Sequence, residues 1–537
     1  MMNDKKIAFI YCVNNRDLYE ESVRYVKSLH VPDGYEIEFI AIEGAQSITS
    51  GYNQAMKQTD AKYKVYLHQD VYINNKNFIS DIMNIFKQDT QIGLIGMIGA
   101  KVIPTNGIWW ESNNKYGKVY DSHTGRMGLL SFKEIRNSFE SVQAVDGLMM
   151  ITQYDIKWRE DIFNGWHFYD ISQSVEFLKK GYKVVIPRQQ EPWCTHDCGV
   201  VNIKNGYEHY RKNFLEEYSG FLFPLVSILI PTYNRPSMLM EALESALKQT
   251  YKNIEIIICD DSTNEETRLM IDFLLEKQRV KNVKYIKNKK KLGKRTGLEN
   301  AQKCFELANG EFINFLLDDD KFTPDKISKM VNYYLQFDNI SLVTSYRQTI
   351  NEKGELLNPI RSTEKLFEKD SFIDGKELGR YILFNMLNVI GEFTTVLFRK
   401  KDITGPLGNY LGRQYAPLSD VSTWLHLLDK GQAVYIAEPL SYFRLHVGQN
   451  AHDIINIING AVEWYKLIND SYHQTDYISD LSDFREILTS WLEQNIHITK
   501  KIQKLLLDKE FAMLNNIIIN QFYDCLEDCI KSIKGIS

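Results

Sequence analysis

Four residues recur at one fixed spacing along this chain, and that repeat limits the folds open to it. Asp70 and Asp320, Asp170 and Asp420, Gly181 and Gly431, and His196 and His446 are each 250 residues apart. A chance match at any one such position is roughly a one in twenty event, so four together point to two copies of one domain. Each copy opens with the same rhythm. Strand-like runs at 6–13, 36–42 and 64–67 alternate with helical stretches that reach 29 and cover 50–57. The rhythm restarts at 226–230, where Leu239, Ala242, Leu243, Ala246 and Leu247 follow at helical spacing before another strand at 254–259. Such alternation predicts an α/β fold with a mostly parallel sheet, whose ligands bind at the carboxyl ends of the strands. The residues after Val13, Ile42, Leu67, Ile230, Cys259 and Leu317 are therefore the ones to inspect. The 250-residue offset fails upstream, so the second copy carries about thirty extra residues before its acidic motif.

The chain has 537 residues, enough for about three domains. We expect a first copy over 1–218, a second over 219–453 and a helical module over 454–537. No proline follows Pro439, and Phe484, Ile487, Leu488, Trp491 and Leu492 keep the spacing of an amphipathic helix. That module reads as a packing element or a surface for homo-oligomers. With 64 Lys plus Arg against 69 Asp plus Glu, no positive excess exists to drive binding to a phosphate backbone, so no nucleic-acid partner is expected. The longest apolar stretch, 221–230, is interrupted by Pro224 and Ser227 and falls far short of a membrane span. The N-terminus lacks the small-residue cleavage site of a signal peptide. Seven cysteines, an odd number over a long chain, suit reduced thiols in the cytoplasm. Peripheral attachment at the inner face of a membrane stays open through the helical tail. Cys194, His196 and Cys198 match no zinc spacing.

The sharpest chemical signal is Asp318-Asp319-Asp320, which follows the apolar run 311–317. Hard oxygen donors where a buried strand emerges suit Mg²⁺ or Mn²⁺, completed by substrate phosphates; the alternative is a solvated acidic turn. Two other strand ends in this copy carry Pro231-Thr232-Tyr233-Asn234-Arg235 and Asp260-Asp261-Ser262, and Lys294-Arg295 precedes the next helix. A carboxylate for the N3 hydrogen of a pyrimidine, a ring for stacking and cations for phosphate together suit a nucleotide diphosphate.

These three segments, in this order, resemble a family 2 glycosyltransferase with a GT-A fold, and the stretch from about 225 to 450 is similar to bacterial spore coat polysaccharide transferases. The resemblance implies a UDP-sugar or other nucleotide-sugar donor. Pro231, Tyr233, Asn234, Arg235, Asp261, Lys294, Arg295, Asp318 and Asp319 would line its site, with Asp261 on the uracil. Asp318 and Asp320 would hold a divalent metal, joined by His446. Asp420 opens an amphipathic stretch, 421–428, where it could cap the helix. The resemblance makes it the catalytic base, and a helix N-terminus favours its ionised form. In the first copy His68-Gln69-Asp70 takes the place of the acidic triplet, and His196 lies 26 residues beyond Asp170 as His446 does beyond Asp420. Asp170, within Gly-Trp-His-Phe-Tyr-Asp, would be its base, and His68, Asp70 and His196 its metal ligands. Glu43 stands roughly where Asp261 would be. The Pro-Thr-Tyr-Asn-Arg signature is replaced by Cys12-Val13-Asn14-Asn15-Arg16, which leaves the nucleotide open.

The expected function is a bifunctional, metal-dependent, inverting transferase acting on a glycan, lipid-linked or protein acceptor. Three alternatives stand beside it: one active copy with an acceptor-binding partner, a carbohydrate-binding scaffold, or a nucleotidyltransferase. The last would need a glycine-rich phosphate loop, and 7–17 contains no glycine.

Overall fold

The computed structural model describes residues 2–201, 204–278, 282–289, 297–446, 454–506 and 509–535. Two compact units divide at Phe223 and Pro224. In the first, strand β1 (Asn3–Val13) leads to helix α1 (Arg16–Lys27), then β2 (Glu36–Glu43), α2 (Ile48–Met56) and β3 (Ala61–Leu67). Residues 7–11 of β1 are all fully buried, the continuous apolar run of a strand covered on both faces. Helix α1 starts where the Asn15 side chain accepts from the backbone N–H of Asp17 and Leu18. Next come β4 (Val71–Ile73), α3 (Phe78–Gln88), β5 (Ile92–Gly96), β6 (Ile98–Ala100), β7 (Lys115–Asp121) and β8 (Gly128–Ser131). The unit closes with β9 (Phe139–Val142), β10 (Ala144–Val145), β11 (Met149–Thr152), α4 (Tyr169–Lys179), β12 (Lys183–Pro187), β13 (Cys194–His196) and α5 (Tyr207–Leu222).

Its main sheet has the order β2-β1-β3-β11-β5-β12-β9, and a smaller sheet runs β10-β6-β7-β13-β4. β1 is parallel to both neighbours, with Ile10 opposite Ile40 and Tyr66, so the ends of β1, β2 and β3 open on one edge.

The second unit repeats the opening: β14 (Val226–Thr232), α6 (Pro236–Leu247), β15 (Ile254–Asp260), α7 (Glu266–Gln278), β16 (Val283–Lys287), α8 (Leu298–Leu307) and β17 (Phe312–Phe315). Then follow β18 (Lys321–Phe322), α9 (Lys326–Gln336), β19 (Ile340–Ile350), β20 (Ser371–Ile373), α10 (Gly375–Asn385) and β21 (Leu397–Arg399). A two-stranded ribbon, β22 (Asn409–Tyr410) and β23 (Arg413–Gln414), precedes α11 (Ser419–Leu428) and the long strand β24 (Gln432–Arg444). Helices α12 (Ile454–Gln474), α13 (Leu481–Asn495), α14 (Ile498–Leu505) and α15 (Lys509–Lys534) end the chain. Ile458, Trp491 and Phe522 of these helices belong to the same buried cluster as Leu383 and Trp424, so one continuous core joins the tail to this unit.

The second sheet runs β16-β15-β14-β17-β21-β19-β24-β18, with β20 beside β24. Without β16, β15-β14-β17-β21-β19-β24 matches β2-β1-β3-β11-β5-β12, β20 lies beside β24 as β9 lies beside β12, and β18 takes the place of β4. The extra residues anticipated before the acidic motif include one further helix–strand pair, α7 and β16, laid on the outer edge. The match also shows a difference: β24 is one strand where the first unit has two, β12 and β13.

Close backbone approach fixes the small sheet of the first unit. A Cβ on Gly99 would stand 2.0 Å from the Ala144 carbonyl oxygen. Gly99→Ala should therefore cost about 1–3 kcal/mol, seen as a melting temperature lowered by about 2–4 °C per kcal/mol. An unchanged melt would contradict this packing.

Candidate active site

In the first unit, His68 and Asp70 lie just past the end of β3, and β13 returns so that His196 pairs with Val71 of β4 and Asp121 of β7. His68 Nδ1 is 3.4 Å from His196 Nε2, and Asp70 Oδ1 is 3.6 Å from the same nitrogen. The other ring nitrogen of His196, Nδ1, lies 2.9 Å from Asp121 Oδ2. Asp121 thus orients the ring and leaves Nε2 facing His68 and Asp70. Asp70 Oδ1 is buried and has no hydrogen-bond partner, an acceptor that a cation would satisfy. Donor atoms of His68, Asp70 and His196 lie within 4.8 Å of one another, as do those of Asp121, His196 and Cys198. Because Asp121 already engages Nδ1, the first of these groups is the one that fits a divalent ion. Two imidazoles and one carboxylate suit a transition metal better than Mg²⁺. Burial and the neighbouring imidazole hold the His68 pKa down, whereas for His196 the opposing effect of burial is overcome by Asp121, Cys198 and Asp70.

His68 Nε2 is 2.5 Å from the Tyr169 hydroxyl, beside Asp170. The turn into α4 is set by Phe168, a bulky residue in the left-handed region at φ 62°. Asp170 Oδ2 accepts from the Gly147 N–H at 3.1 Å. Burial, reinforced by the neighbouring Asp146, pushes its carboxyl up to about 7. Glu43 lies in a different environment: it is exposed and paired with Arg16 at 2.6 Å.

In the second unit the acidic triplet follows β17. Asp318 Oδ2 accepts from the Thr232 hydroxyl at 2.8 Å and from the Tyr233 N–H at 3.3 Å. Arg235 Nη1 reaches Asp318 at 3.2 Å and Asp319 at 2.8 Å. His446 Nε2 meets Asp319 Oδ2 at 3.0 Å, so the carboxylate beside this imidazole is Asp319. Asp320 turns inward: Oδ2 accepts from the Thr394 hydroxyl at 2.6 Å and Oδ1 from the Arg444 N–H at 3.0 Å. Burial and the crowding of Asp319 raise the carboxyls of Asp318, to about 6, and of Asp320. Three carboxylates gather beside the Arg235 guanidinium, an acid excess, but among the described residues of this unit no three His, Cys, Asp or Glu donors converge within 4.8 Å of one another as they do in the first unit.

Asp261 is buried and accepts from Asn288 Nδ2 at 2.5 Å; Asn288 is itself held by Asn300. Pro231 lies within β14, Tyr233 is 39% exposed, and Asn234 turns the chain at φ 52°. Lys294 and Arg295 lie outside the described residues.

Asp420 sits in the first turn of α11, but the capping position is Leu418. Its Oδ1 accepts from the Val421 N–H at 2.7 Å and its Oδ2 from Asn388 Nδ2 at 2.8 Å. The sequence argument favoured an ionised carboxylate here. Burial outweighs the helix end and pushes the group up to about 7, with nearby Glu392 adding to the shift. A carboxyl near neutrality is matched to taking a proton at physiological pH. Sequence reasoning missed Asn388, Thr394, Tyr169 and Asp121, because the partners of a buried acid are brought to it by the fold.

Residues 8–218 match a glycosyltransferase-like family, and residues 227–400 match glycosyl transferase family 2. The chain is 30% identical over 226 residues, 42% of its length, to an Escherichia coli protein named UDP-Glc:alpha-D-GlcNAc-diphosphoundecaprenol beta-1,3-glucosyltransferase, of which 78% is covered. It is 28% identical over 222 residues, 41% of its length, to the Campylobacter jejuni GalNAc(5)-diNAcBac-PP-undecaprenol beta-1,3-glucosyltransferase, of which 65% is covered. Among solved structures, residues 1–349 of S. aureus TarS in complex with UDP-GlcNAc align at 15% identity with a TM-score of 0.38, over 57% of this chain and 81% of that one.

The first-unit cluster makes a direct prediction. In Mn²⁺ titrations followed by the electron paramagnetic resonance of the free ion, His196→Ala should bind fewer ions than the unsubstituted protein. Equal stoichiometry would exclude His196 as a ligand.

Proposed function

Because this chain belongs to glycosyl transferase family 2, we propose that it is a bifunctional enzyme in which each unit moves a sugar from a nucleotide-diphosphate donor to a growing glycan. The observation that carries this reading is the paired placement of Asp170 and Asp420. Each is a part-buried carboxyl raised to about 7, in the first turn of the helix that leads into the same strand of the repeated sheet. Two active sites on one chain suit consecutive additions, since tethering raises the effective concentration of the first product at the second site.

In the second unit the acceptor hydroxyl oxygen attacks the anomeric carbon, its proton passes to an Asp420 oxygen, and the bond to the diphosphate breaks. The configuration inverts because attack comes from the face opposite the leaving group. Asp261 would bind the base, and Asp318 and Arg235 would meet ribose and phosphate oxygens. A divalent metal, held by His68, Asp70 and His196 in the first unit, would stabilise negative charge on the leaving diphosphate there; in the second unit the expected ligand Asp320 is turned to Thr394 and Arg444. Asp320, locked to Thr394 and Arg444, positions the loop that presents Asp319. UDP-sugars and lipid-linked glycans are the donor and acceptor classes that the two named relatives support. No described helix is long and apolar enough to cross a membrane.

The exposed Glu43–Arg16 pair favours a second reading of the first unit, as an acceptor-binding domain without its own transfer step. Nucleoside diphosphate release from a panel of UDP-, GDP- and TDP-sugars with Mn²⁺ separates the two. Asp420→Asn should lower one transfer step by about 10²–10⁴-fold with donor affinity kept. Asp170→Asn should do the same to a different step. If Asp170→Asn alters no product, the first unit is not a transferase; if Asp420→Asn turns over normally, its role as base is wrong.

The pH profile offers an independent check. The second unit's rate should fall as pH drops through about 7, where Asp420 takes up a proton. The Asn388 hydrogen bond favours the ionised carboxylate, so Asn388→Ala should move this acid limb to higher pH. A limb that stays in place or moves down would contradict the assignment.

A further inference from the structure

The segment between β12 and β13 borders an open surface cavity of about 1080 Å³ in the first unit, flanked by the carboxyl half of α3 and the turn at 136–138. Strand alternation separates it from the metal cluster. Asp121 and His196 point to one face of the small sheet; Tyr120 and Thr195, paired between β7 and β13, point to the other, and Tyr120 lines the cavity. The wall is built from polar groups. Asn84, Gln88, Asn137 and Gln190 present side-chain amides, each both donor and acceptor. Tyr120 is 36% exposed, and the ring of Trp193 is anchored edge-on to Phe78 with centroids 6.1 Å apart.

The decisive feature is charge. Arg136 and Arg188 are exposed, both line the cavity, and neither forms an ion pair with a carboxylate of any described residue. Two acids share the wall with them, Asp81, which accepts from Asn75 Nδ2 at 2.7 Å, and Glu191, which faces solvent as the arginines do; neither pairs with Arg136 or Arg188. Two unpaired guanidinium forks beside amides and ring faces form a surface for hydroxyl-rich chains that also carry acid groups. Guanidinium recognises carboxylate or phosphate in bidentate fashion, amides meet sugar hydroxyls, and aromatic rings cover sugar C–H faces. A neutral glycan would leave the two cations without a purpose.

We propose that this cavity is a binding site for an anionic glycan chain, with carboxylate or phosphate groups, separate from the metal-facing site. The proposal goes beyond the transfer reading. It concerns binding in the absence of donor and metal, so a failed transfer assay would leave it standing.

The test is isothermal titration calorimetry on the full chain with four probes. These are a hexuronate-containing octasaccharide, its carboxyl-reduced neutral form, a phosphodiester-linked glycan oligomer, and a single-stranded oligonucleotide. One of the two anionic glycans should bind at least tenfold more tightly than the neutral form, and which one it is identifies the acid group. The Arg136→Ala/Arg188→Ala double variant should lose at least tenfold of that affinity with an unchanged melting temperature. Should the double variant melt early, Arg188→Gln alone, checked for a native melt, carries the comparison. Binding by neither anionic glycan, wild-type affinity in the arginine variants, or tighter binding of the oligonucleotide than of both glycans would overturn the proposal.

Discussion

A carboxylate buried where a strand ends has to be answered by a donor, a cation or a proton, and most of this protein's chemistry follows from how that demand is met. At Asp320 it is met by the Thr394 hydroxyl and a backbone N–H, so the group is spent on structure. At Asp318 and Asp319 it is met by one shared guanidinium, with the Thr232 hydroxyl and Tyr233 N–H on the first and His446 on the second. At Asp170 and Asp420 it is only partly met, by backbone N–H groups in the first case and by backbone N–H groups and the Asn388 amide in the second, and the carboxyl keeps a high affinity for its proton. The same residue type thus becomes a scaffold, a charge cluster or a carboxyl that holds its proton up to near-neutral pH, according to its neighbours.

The two units meet the demand differently at the first acidic motif. Replacing a carboxylate by His68 lowers the negative charge and gives the site two imidazoles, one of them fixed by Asp121. It also ties the motif to the turn that carries Asp170, since His68 is joined to Tyr169. The second unit has no described link of this kind; its equivalent space holds Arg235. An ion entering there must compete with a resident cation for Asp318 and Asp319, whereas in the first unit it meets an acceptor with no hydrogen-bond partner.

Much of the architecture was readable in the chain. The apolar runs at 6–13 and 226–230 marked the central strands, and the 250-residue offset marked the repeat, because period and spacing survive where sequence identity does not. The extra strand β16 was not readable, since its Val-Lys-Tyr-Ile-Lys alternation is that of any half-buried edge. For the candidate sites, the acids themselves stood out at strand ends, but their burial did not. The sequence favoured an ionised Asp420 from its helix end; the fold surrounds it with enough protein to reverse the balance. Partners such as Asn388, 32 residues away, carry no local signal at all.

The interrupted strand has a meaning for how such molecules diversify. In the second unit, β24 runs for 13 residues without a gap. In the first, the corresponding path is cut into two short pieces joined by Arg188 to Trp193. The cut leaves both ends of the path in their places, while the six residues between them leave the strand ladder and are tied instead through the Gln189 amide to the Met97 carbonyl and through the Trp193 carbonyl to the N–H groups of Asn74 and Asn75. A duplicated fold can in this way acquire a new surface by loosening a rod in its middle, at a point its original chemistry does not need.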